Sequence, residues 1–241
     1  MHDPVVSEAI QSTLPLAVRN WKLSPSDFAF LWEECKRCFY LKAAGNFPRP
    51  HGLMPKIFTV IDNEMKKALG GRRTETIAPG MPPGVVRFGE KWVESGPIRL
   101  PGRSSTCFVR GKYDTVVRFD DGSFGVIDFK TSSAKPGHLV LYARQLHSYA
   151  HALEHPAAGA FALGPVSRLG LLVFEPDAFA GRDGAALLTG GLAWVEIQRD
   201  DRILFEFLGE VLDLLDRPTP PEPSPDCEWC QYRSDARRLA V

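Results

Sequence analysis

Apolar and polar positions along the chain indicate helices and strands in alternation. A helix is predicted to begin with Ser24 as its N-cap and Pro25 at its first position, and to run through Phe28 to Cys35. A proline-interrupted segment precedes a second predicted helix, at about Phe58 to Leu69, which ends at Gly70-Gly71. These elements come before the strand-rich part of the sequence.

Strand patterns dominate the middle of the chain and lead to two more helices. The predicted strands are Val85 to Trp92, Cys107 to Phe119, Phe124 to Thr131, Arg168 to Glu175 and Ala193 to Gln198, with a Gly/Ala-rich loop before the last. Helical periodicity covers His138 to Glu154 and then Asp200 or Asp201 to Leu215. This order predicts the α/β class, with a mixed central β-sheet flanked by α-helices.

Three regions are expected along the chain. Residues 1–22 form a loosely ordered lead, residues 23–217 form one domain, and residues 218–241 comprise a proline-rich spacer followed by a Cys-x-x-Cys segment. Five prolines lie between Pro218 and Pro225, which makes this spacer semi-rigid. We expect the C-terminal segment to pack back on the N-terminal part of the domain.

Composition excludes some classes of function. The 241 residues are 44% hydrophobic and 24% charged, and 29 basic residues balance 29 acidic ones. A formally neutral protein does not coat nucleic acid by charge alone, although a local basic groove is compatible with this balance. No apolar run approaches the roughly 18 residues that span a bilayer, and Met1 to Asn20 lacks the pattern of a signal peptide. We expect a cytoplasmic protein without a membrane partner.

One predicted hairpin carries charges where a sheet normally has apolar side chains. Asp120-Asp121-Gly122 is a suitable three-residue connection, which pairs Phe119 with Ser123. The same antiparallel register places Asp114 opposite Asp128. A two-residue turn would shift the pairing by one and place the two aspartates diagonally.

The two aspartates and a nearby lysine suggest a metal site. Opposed carboxylates repel each other unless a cation lies between them, and Lys130 points to the same face as Asp128 because strand side chains alternate. A solvated charged face is the alternative. The apolar run Val126-Ile127-Asp128-Phe129 argues against it, because this run is unsuited to a solvent-facing edge.

Four of the five cysteines form two Cys-x-x-Cys pairs. Cys35 and Cys38 lie near the N-terminus, and Cys227 and Cys230 lie near the C-terminus. Two such pairs predict a four-thiolate site that holds either zinc or an iron–sulfur cluster, whereas reduced packing thiols are the alternative. Cys107 lies within a predicted strand and is expected to be a core residue.

These motifs together resemble the PD-(D/E)XK nuclease superfamily, and within it the RecB-like exonuclease branch with a four-cysteine site. Tyr113-Asp114 matches the first acidic motif, Asp128-Phe129-Lys130 the D-x-K motif, and Gln145 to Tyr149 the Q-x-x-x-Y signature. The stretch from Leu23 to Leu41 is also similar to the N-terminus of these proteins. The resemblance implies a restriction-endonuclease-like fold.

The resemblance also implies the chemistry of the site. Asp114, Asp128 and the carbonyl of Phe129 would bind Mg²⁺ or Mn²⁺, and Lys130 would orient the attacking water. Gln145 and Tyr149 would help to keep the site in place and to bind the DNA strand. The four cysteines would hold a [4Fe-4S] cluster or Zn²⁺.

The sequence departs from the family pattern in the upstream helix. Such nucleases usually present a His or Glu there, whereas this helix offers Asp62 and Glu64. Asp62 is preferred as the further metal ligand because apolar residues flank it.

Two other groups of residues have competing interpretations. His147, His151 and His155 are better explained as a partly exposed helix face than as a metal site, and Lys42, Lys66, Lys67, Arg72 and Arg73 either line a groove for the nucleic-acid backbone or are solvated.

The leading hypothesis is a metal-dependent deoxyribonuclease with exonuclease-like action in DNA repair, recombination or defence. Its partners would be single-stranded DNA or duplex ends, and a helicase or recombination factor. The first alternative is a catalytically inactive member of the same fold that binds nucleic acid or protein, with a structural cysteine-metal site. The second alternative is a zinc-only interaction module, in which Asp128 would be dispensable.

Overall fold

The computed structural model describes residues 18–50, 52, 55–131 and 136–239. The helices are α1 (Pro25–Ala29), α2 (Leu31–Glu34), α3 (Lys36–Gly45), α4 (Lys56–Leu69), α5 (Pro136–Glu154), α6 (Asp201–Leu215) and α7 (Glu228–Arg238). The strands are β1 (Asn20–Leu23), β2 (Gly84–Phe88), β3 (Lys91–Glu94), β4 (Ile98–Arg99), β5 (Thr106–Tyr113), β6 (Thr115–Phe119), β7 (Phe124–Thr131), β8 (Val166–Arg182) and β9 (Ala185–Ile197). None of the helices in these ranges is long and apolar enough to cross a membrane.

The strands form two sheets, and the chain passes between them from β2 to β3 and again from β5 to β6. The larger sheet has the order β2-β6-β7-β8-β9, and it is mixed because β7 and β8 are parallel while its other pairs are antiparallel. The smaller sheet has β5 between β1 and β3, with β4 also paired to β5. The long helix α5 connects the parallel pair. The predicted mixed α/β architecture is confirmed.

The predicted strand from Cys107 to Phe119 is divided at Asp114. Residues before Asp114 belong to β5 in the smaller sheet, and those after it belong to β6 in the larger sheet. The predicted strand from Val85 to Trp92 is likewise two strands in different sheets. The alternation of apolar and polar residues does not reveal these two breaks, because residues with high β-propensity lie on both sides of each break. The consequence is that Asp114 lies where one sheet passes into the other.

Both faces of the larger sheet are buried in its central part, formed by β6, β7 and the first half of β8. On one face, Val116 and Val126 pack in the main core with residues of α5 and α6, such as Leu146 and Leu208. On the other face, Val117, Ile127, Phe129 and Leu172 form a second core with Leu69 of α4. This two-sided burial explains the near-continuous apolar runs of β7 and β8. It also forces any charge on these strands into a largely dry environment.

The N-terminal segment differs from its prediction. The helix expected through Phe28 to Cys35 is interrupted at Phe30 and again at Cys35, where φ is −163° and ψ is 109°. Residues 1–17 of the expected lead lie outside the described residues, and Asn20 to Lys22 belong to β1, which pairs in parallel with β5. The extended backbone at Cys35 reorients the chain, so that α3 begins directly after this cysteine.

The predicted Gly/Ala-rich loop before Ala193 is a β-ribbon. Strands β8 and β9 pair continuously from Leu169–Ile197 to Arg182–Ala185, except for one register shift near Pro176. Asp183 and Gly184 connect them with φ values of 52° and 80°, as a two-residue hairpin turn requires. The outer parts of these strands were not predicted because Gly and Ala have low β-propensity. The Asp183-Gly184 pair is the sequence feature that would have indicated the hairpin.

Candidate active site and cysteine cluster

The predicted hairpin register is confirmed. The amide nitrogen of Phe119 donates to the carbonyl of Ser123 at 2.9 Å, and Gly122 has a φ of 87°. The paired positions continue to Thr115 opposite Ile127, so Asp114 and Asp128 are the next positions on the two strands. The predicted three-residue connection therefore brings the two aspartates to the same end of the hairpin.

Asp114 is held by the backbone of the neighbouring strand. Its Oδ2 accepts a hydrogen bond of 3.0 Å from the amide nitrogen of Phe129, directly after Asp128. Its Oδ1 faces the opposite way and contacts Lys66. Because one oxygen is fixed by a backbone donor, the carboxylate has a defined orientation before any ion binds. The role predicted for the Phe129 carbonyl stays a prediction.

Asp128 is a buried carboxylate with an incomplete set of partners. Only 4% of the residue is exposed. Its Oδ2 forms a close ion pair with Nζ of Lys130, without the alignment of a hydrogen bond, and its Oδ1 accepts a long contact of 3.5 Å from Nε2 of Gln145. Burial raises the pKa of Asp128 to about 7; the Lys130 ammonium opposes this shift and the Asp114 carboxylate adds to it.

Lys130 is positioned by an aromatic ring as well as by Asp128. Its Nζ lies 4.6 Å from the centroid of the Tyr142 ring. Burial alone would lower the pKa of Lys130, but the attraction of Asp128 outweighs it and raises the pKa. The lysine is therefore charged at neutral pH. The predicted shared face of Asp128 and Lys130 is confirmed.

Helix α4 contributes the ammonium group of Lys66 and the carboxylate of Asp62 to the site. Nζ of Lys66 contacts Oδ2 of Asp62 at 2.7 Å, Oε1 of Glu90 at 2.6 Å and Oδ1 of Asp114 at 3.0 Å. Glu64, the alternative in the sequence, is exposed and pairs with Lys67 instead. Asp62 is thus the helix carboxylate that shares a cation with Asp114.

Gln145 and Tyr149 lie one turn apart on α5, on the side that faces β7. Tyr149 is buried, and burial raises the pKa of its phenol although the Gln145 side chain opposes the shift. A Cβ atom at Gly111 would lie 3.0 Å from Cε1 of Tyr149, which shows how closely the ring approaches β5. The Gln145 side chain interacts with the Tyr149 phenol and also reaches the carboxylate of Asp128.

The four cysteines of the two Cys-x-x-Cys pairs converge. All four Sγ atoms lie within 4.8 Å of one another. Individual separations are 3.6 Å for Cys38–Cys230, 3.7 Å for Cys38–Cys227 and 3.8 Å for Cys35–Cys230. The first pair brackets the start of α3 and the second the start of α7, so the cluster joins the two ends of the described chain. Cys107 lies in the main core, as predicted.

Two arginines donate to the sulfur atoms of this cluster. Arg49 Nη2 lies 3.3 Å from Cys227 Sγ, and Arg233 Nη2 lies 3.2 Å from Cys38 Sγ. Burial would raise the pKa of Cys35, but hydrogen bonds from the Ser224 and Cys38 backbone outweigh it and lower the pKa to about 6. Burial instead raises the pKa of Cys38, and it raises the pKa of Cys230 to about 12, so without an ion the four thiols do not all ionise together. The two guanidinium donors favour the thiolate form, in which cysteine binds metal.

The histidine interpretation needs one correction. His147 is fully buried rather than partly exposed. Its Nδ1 donates to the carbonyl of Ala143 at 2.7 Å, and its Nε2 accepts from the amide of Asp200 at 2.9 Å. Both ring nitrogens are therefore satisfied by backbone groups. His147 links α5 to the start of α6 and is not a metal ligand.

The basic residues suggested as a groove for the nucleic-acid backbone are mostly neutralised by neighbours. Lys42 pairs with Asp27 at 2.7 Å, Lys67 with Glu64 at 2.7 Å, and Arg73 with Asp120 at 2.6 Å. Lys66 contacts three carboxylates, whereas Arg72 donates to a backbone carbonyl, which does not cancel its charge. These residues do not form a region of excess positive charge.

A comparison with known protein families identifies the family of the chain. The model of the PD-(D/E)XK nuclease superfamily matches residues 49–234. The chain belongs to this superfamily. No curated protein matches the chain. Among solved structures, the chain is similar to SSO0001, with a TM-score of 0.47 and 15% identity over 88% of this chain and 84% of that one.

Sequence reasoning missed Glu90 and Tyr142. Glu90 lies in the connection between β2 and β3 and reaches both Lys66 and Lys112, while Tyr142 lies beneath Lys130. Glu90 carries no local motif, because it reaches the site only through a contact between distant parts of the chain. Tyr142 could have been found, since it precedes Tyr149 by two helical turns and shares its face.

Proposed function

We propose that this protein is a metal-dependent nuclease that hydrolyses DNA phosphodiester bonds. The observation that carries the proposal is the convergence of Asp114, Asp128, Lys130 and Gln145 at one end of the β6–β7 hairpin. An inactive scaffold has no physical reason to keep a buried carboxylate beside a second one. Membership of the PD-(D/E)XK nuclease superfamily supports the same function.

The donor set fits a hard divalent cation. Asp62 and Asp114 already share one cation, the ammonium of Lys66, and the buried Oδ2 of Asp128 faces the ammonium of Lys130 without a geometrically aligned hydrogen bond. Carboxylate oxygens are the ligands that Mg²⁺ and Mn²⁺ prefer. Asp114 and Asp128 would hold the ion, with Asp62 as a further ligand and the Phe129 carbonyl as an additional candidate. When bound, the ion supplies a more acidic water and stabilises charge on phosphate oxygens.

The side chains around the ion would divide the remaining work. Lys130 keeps a positive charge next to Asp128, so its ammonium can orient a water molecule and offset negative charge on the phosphate. Gln145 donates toward Oδ1 of Asp128 and so limits the rotation of this carboxylate. Tyr149 holds Gln145 in place. Tyr142 fixes the lysine from the other side.

Cleavage assays test the proposed function. Wild type, D128A and K130A are incubated with single- and double-stranded DNA and Mg²⁺ or Mn²⁺. We expect each variant to reduce the cleavage rate by about 10²-fold or more. D121N and K67A, which change exposed residues away from the two aspartates, are the controls and should cleave normally. The nuclease proposal is abandoned if wild type does not cleave, or if D128A cleaves equally well.

We further propose exonuclease-like action on DNA ends, because the Gln145-x-x-x-Tyr149 pair is typical of the RecB-like branch. Linear and circular single strands of equal sequence distinguish the two modes: only the linear strand should be degraded. A helicase or recombination factor as partner, a role in DNA repair, recombination or defence, and a cytoplasmic location stay predictions from the sequence.

We propose that the four cysteines hold a single zinc ion. A tetrahedral ion with Zn–S bonds of about 2.3 Å separates its sulfur ligands by about 3.8 Å. Three of the six sulfur–sulfur separations are 3.6–3.8 Å, and all six are within 4.8 Å. A four-iron cluster places its inorganic core between the thiolates and spreads them further apart. Metal analysis tests this: one zinc per chain is expected, and an absorbance band near 400 nm in anaerobically purified protein would overturn it.

A further inference from the structure

A basic cavity lies beside the cysteine cluster, between α3 and α7. Its volume is about 620 Å³. Its lining residues come from α3, from the segment after it, from the proline-rich spacer and from α7: Arg37, Leu41, Phe47, Glu222, Pro223, Cys230, Arg233, Ser234, Arg237 and Arg238. Four arginines thus face a single glutamate, in a chain whose basic and acidic residues are equal in number.

The charge of three of these arginines is available to a ligand. Arg37 donates to the carbonyl of Pro221, which leaves its charge uncompensated. Arg238 has only a loose contact of 3.5 Å with Asp235, and Arg237 forms no ion pair within the described part of the chain. Arg233 differs, because it donates to the cluster sulfurs. Guanidinium groups are well suited to phosphate oxygens, which they can bind with two parallel hydrogen bonds.

An exposed aromatic ring completes the cavity. Phe47 is 55% exposed, and its ring centroid lies 5.5 Å from the Arg233 guanidinium carbon. A large apolar ring left in water next to several cations is typical of surfaces that stack a nucleic-acid base and hold its phosphates. A concave cavity of this size admits a flexible single strand more readily than the wide convex surface of a duplex.

Contacts connect this cavity with the proposed active site. Leu31, at the start of α2, packs against the cysteine cluster. The preceding residue, Phe30, is 45% exposed and meets the Tyr142 ring at 5.7 Å in an edge-to-face arrangement. Tyr142 in turn lies beneath Lys130. A chain of neighbouring side chains therefore runs from the catalytic lysine to the segment that carries Cys35 and Arg37.

We infer that this arginine cavity binds the phosphates of a single-stranded nucleic acid, with Phe47 stacking on a base, at a distance from the scissile bond. The inference deepens the proposed nuclease function and rests on it for the identity of the ligand. The cavity would act as a positioning site for the strand and would make no contact with the reacting phosphate.

Binding measurements test the cavity separately from cleavage. A labelled single-stranded oligonucleotide is titrated with full-length protein in a D128N background without added divalent ions, and fluorescence anisotropy is recorded. We expect R37A/R237A to weaken binding about tenfold or more and to reduce the slope of log K against log salt by about 1–2. F47A should weaken binding about fivefold or more. Arg87 and Arg118 are exposed and line a different surface pocket, together with Asp120. The double variant R87A/R118A is therefore the matched control and should bind normally.

Further arms separate the alternatives. The R237E variant leaves the Arg37 contact with Pro221 intact and must also weaken binding, and the cysteine-bound metal content of each variant shows whether the cluster is preserved. Normal binding by R37A/R237A or by R237E overturns the inference. So does equal loss in R87A/R118A, or displacement of the strand by millimolar inorganic phosphate, which would indicate a simple anion site. Stronger binding to duplex than to single strand also contradicts it.

A small substrate distinguishes failure of this inference from failure of the proposed function. Bis(4-nitrophenyl) phosphate has a single phosphodiester group, so it cannot place one phosphate in the active site and others in the cavity as a strand would. R37A/R237A should therefore hydrolyse it at the wild-type rate while losing oligonucleotide cleavage, mainly through a higher KM. If wild type binds the oligonucleotide through the cavity but cleaves neither substrate, the binding inference is supported and the nuclease proposal is wrong.

Discussion

Nζ of Lys66 lies 3.0 Å from Oδ1 of Asp114, so an ammonium group occupies the space next to the carboxylate proposed to bind metal. Asp62 and Glu90 contact the same nitrogen. These carboxylates are close enough to repel one another, and Lys66 offsets that repulsion. A divalent cation that binds Asp62 and Asp114 would compete with this lysine.

The first prediction concerns this competition. The variant K66M removes the internal cation and leaves the carboxylates more strongly attractive for an added ion. We expect its dissociation constant for Mn²⁺, measured by calorimetry without DNA, to fall about fivefold or more. K67M, on the same helix and paired with the exposed Glu64, should bind Mn²⁺ as wild type does. Weaker binding by K66M would show that the lysine assists the ion instead of competing with it.

The second prediction distinguishes the two acidic residues of α4. D62N removes a carboxylate that shares a cation with Asp114, and we expect Mn²⁺ affinity to fall about tenfold because one charged ligand is lost. E64Q removes a carboxylate that is exposed and points to Lys67. Its affinity should be unchanged. Equal affinities of D62N and wild type would place Asp62 outside the metal site.

The local parts of the site could be predicted from the sequence. Asp114, Asp128 and Lys130 belong to one hairpin, and turn chemistry together with strand alternation is enough to fix their relative positions. The Gln145–Tyr149 spacing follows from helix geometry in the same way. In each case the contacting residues belong to a single hairpin or a single helix, so short-range rules determine the geometry.

Contacts between distant segments could not be predicted in this way. The sequence predicted that Lys66 either lines a groove for the nucleic-acid backbone or is solvated, because nothing near it in sequence shows that it would contact Glu90 and Asp114. The outer part of the β8–β9 ribbon, between Glu175 and Ala193, was predicted as a loop because Gly and Ala have low β-propensity, although the long register of backbone hydrogen bonds overrides that preference. The arginine cavity forms because α7 lies next to α3. The two cysteine pairs predicted that these ends of the chain meet, but not which side chains would line the space between them.

The third prediction concerns the cysteine cluster. C38S removes one of the four sulfur ligands, and we expect loss of zinc and a fall in the free energy of unfolding of about 3 kcal/mol or more, because metal binding contributes directly to folding. For a chain of this size that corresponds to a melting temperature lower by roughly 10 °C. C107A is the control: this core cysteine is distant from the cluster, so the variant should keep its zinc even if it is destabilised.

A chelator provides a second test of the same cluster. Because the cluster joins α3 to α7, removal of zinc should release the C-terminal segment and increase its proteolysis after Arg233, Arg237 and Arg238. The chelated protein should regain its melting temperature when zinc is added. Unchanged stability and unchanged proteolysis after complete metal removal would show that packing alone holds the two ends together.

The fourth prediction concerns stability in acid. Burial lowers the pKa of His151 to about 4, and the adjacent His155, with ring centroids 4.7 Å apart, adds to this shift. An unfolded histidine titrates near 6.5, so the unfolded chain binds more protons between these values. The neutral ring therefore contributes stability that is complete above about pH 6.5 and is lost as the pH falls toward 4.

Urea unfolding at several pH values measures this contribution. The ring of His151 meets Phe205 edge-to-face at 5.5 Å, so H151F keeps an aromatic ring there without a titrating group. We expect the free energy of unfolding of wild type, relative to H151F, to fall by about 1–2 kcal/mol between pH 7 and pH 4.5, a value reduced for partial solvent exposure. Parallel pH profiles for the two proteins would show that His151 is not protonated on unfolding in this range, and acid sensitivity would then have to arise from another buried group, such as His147.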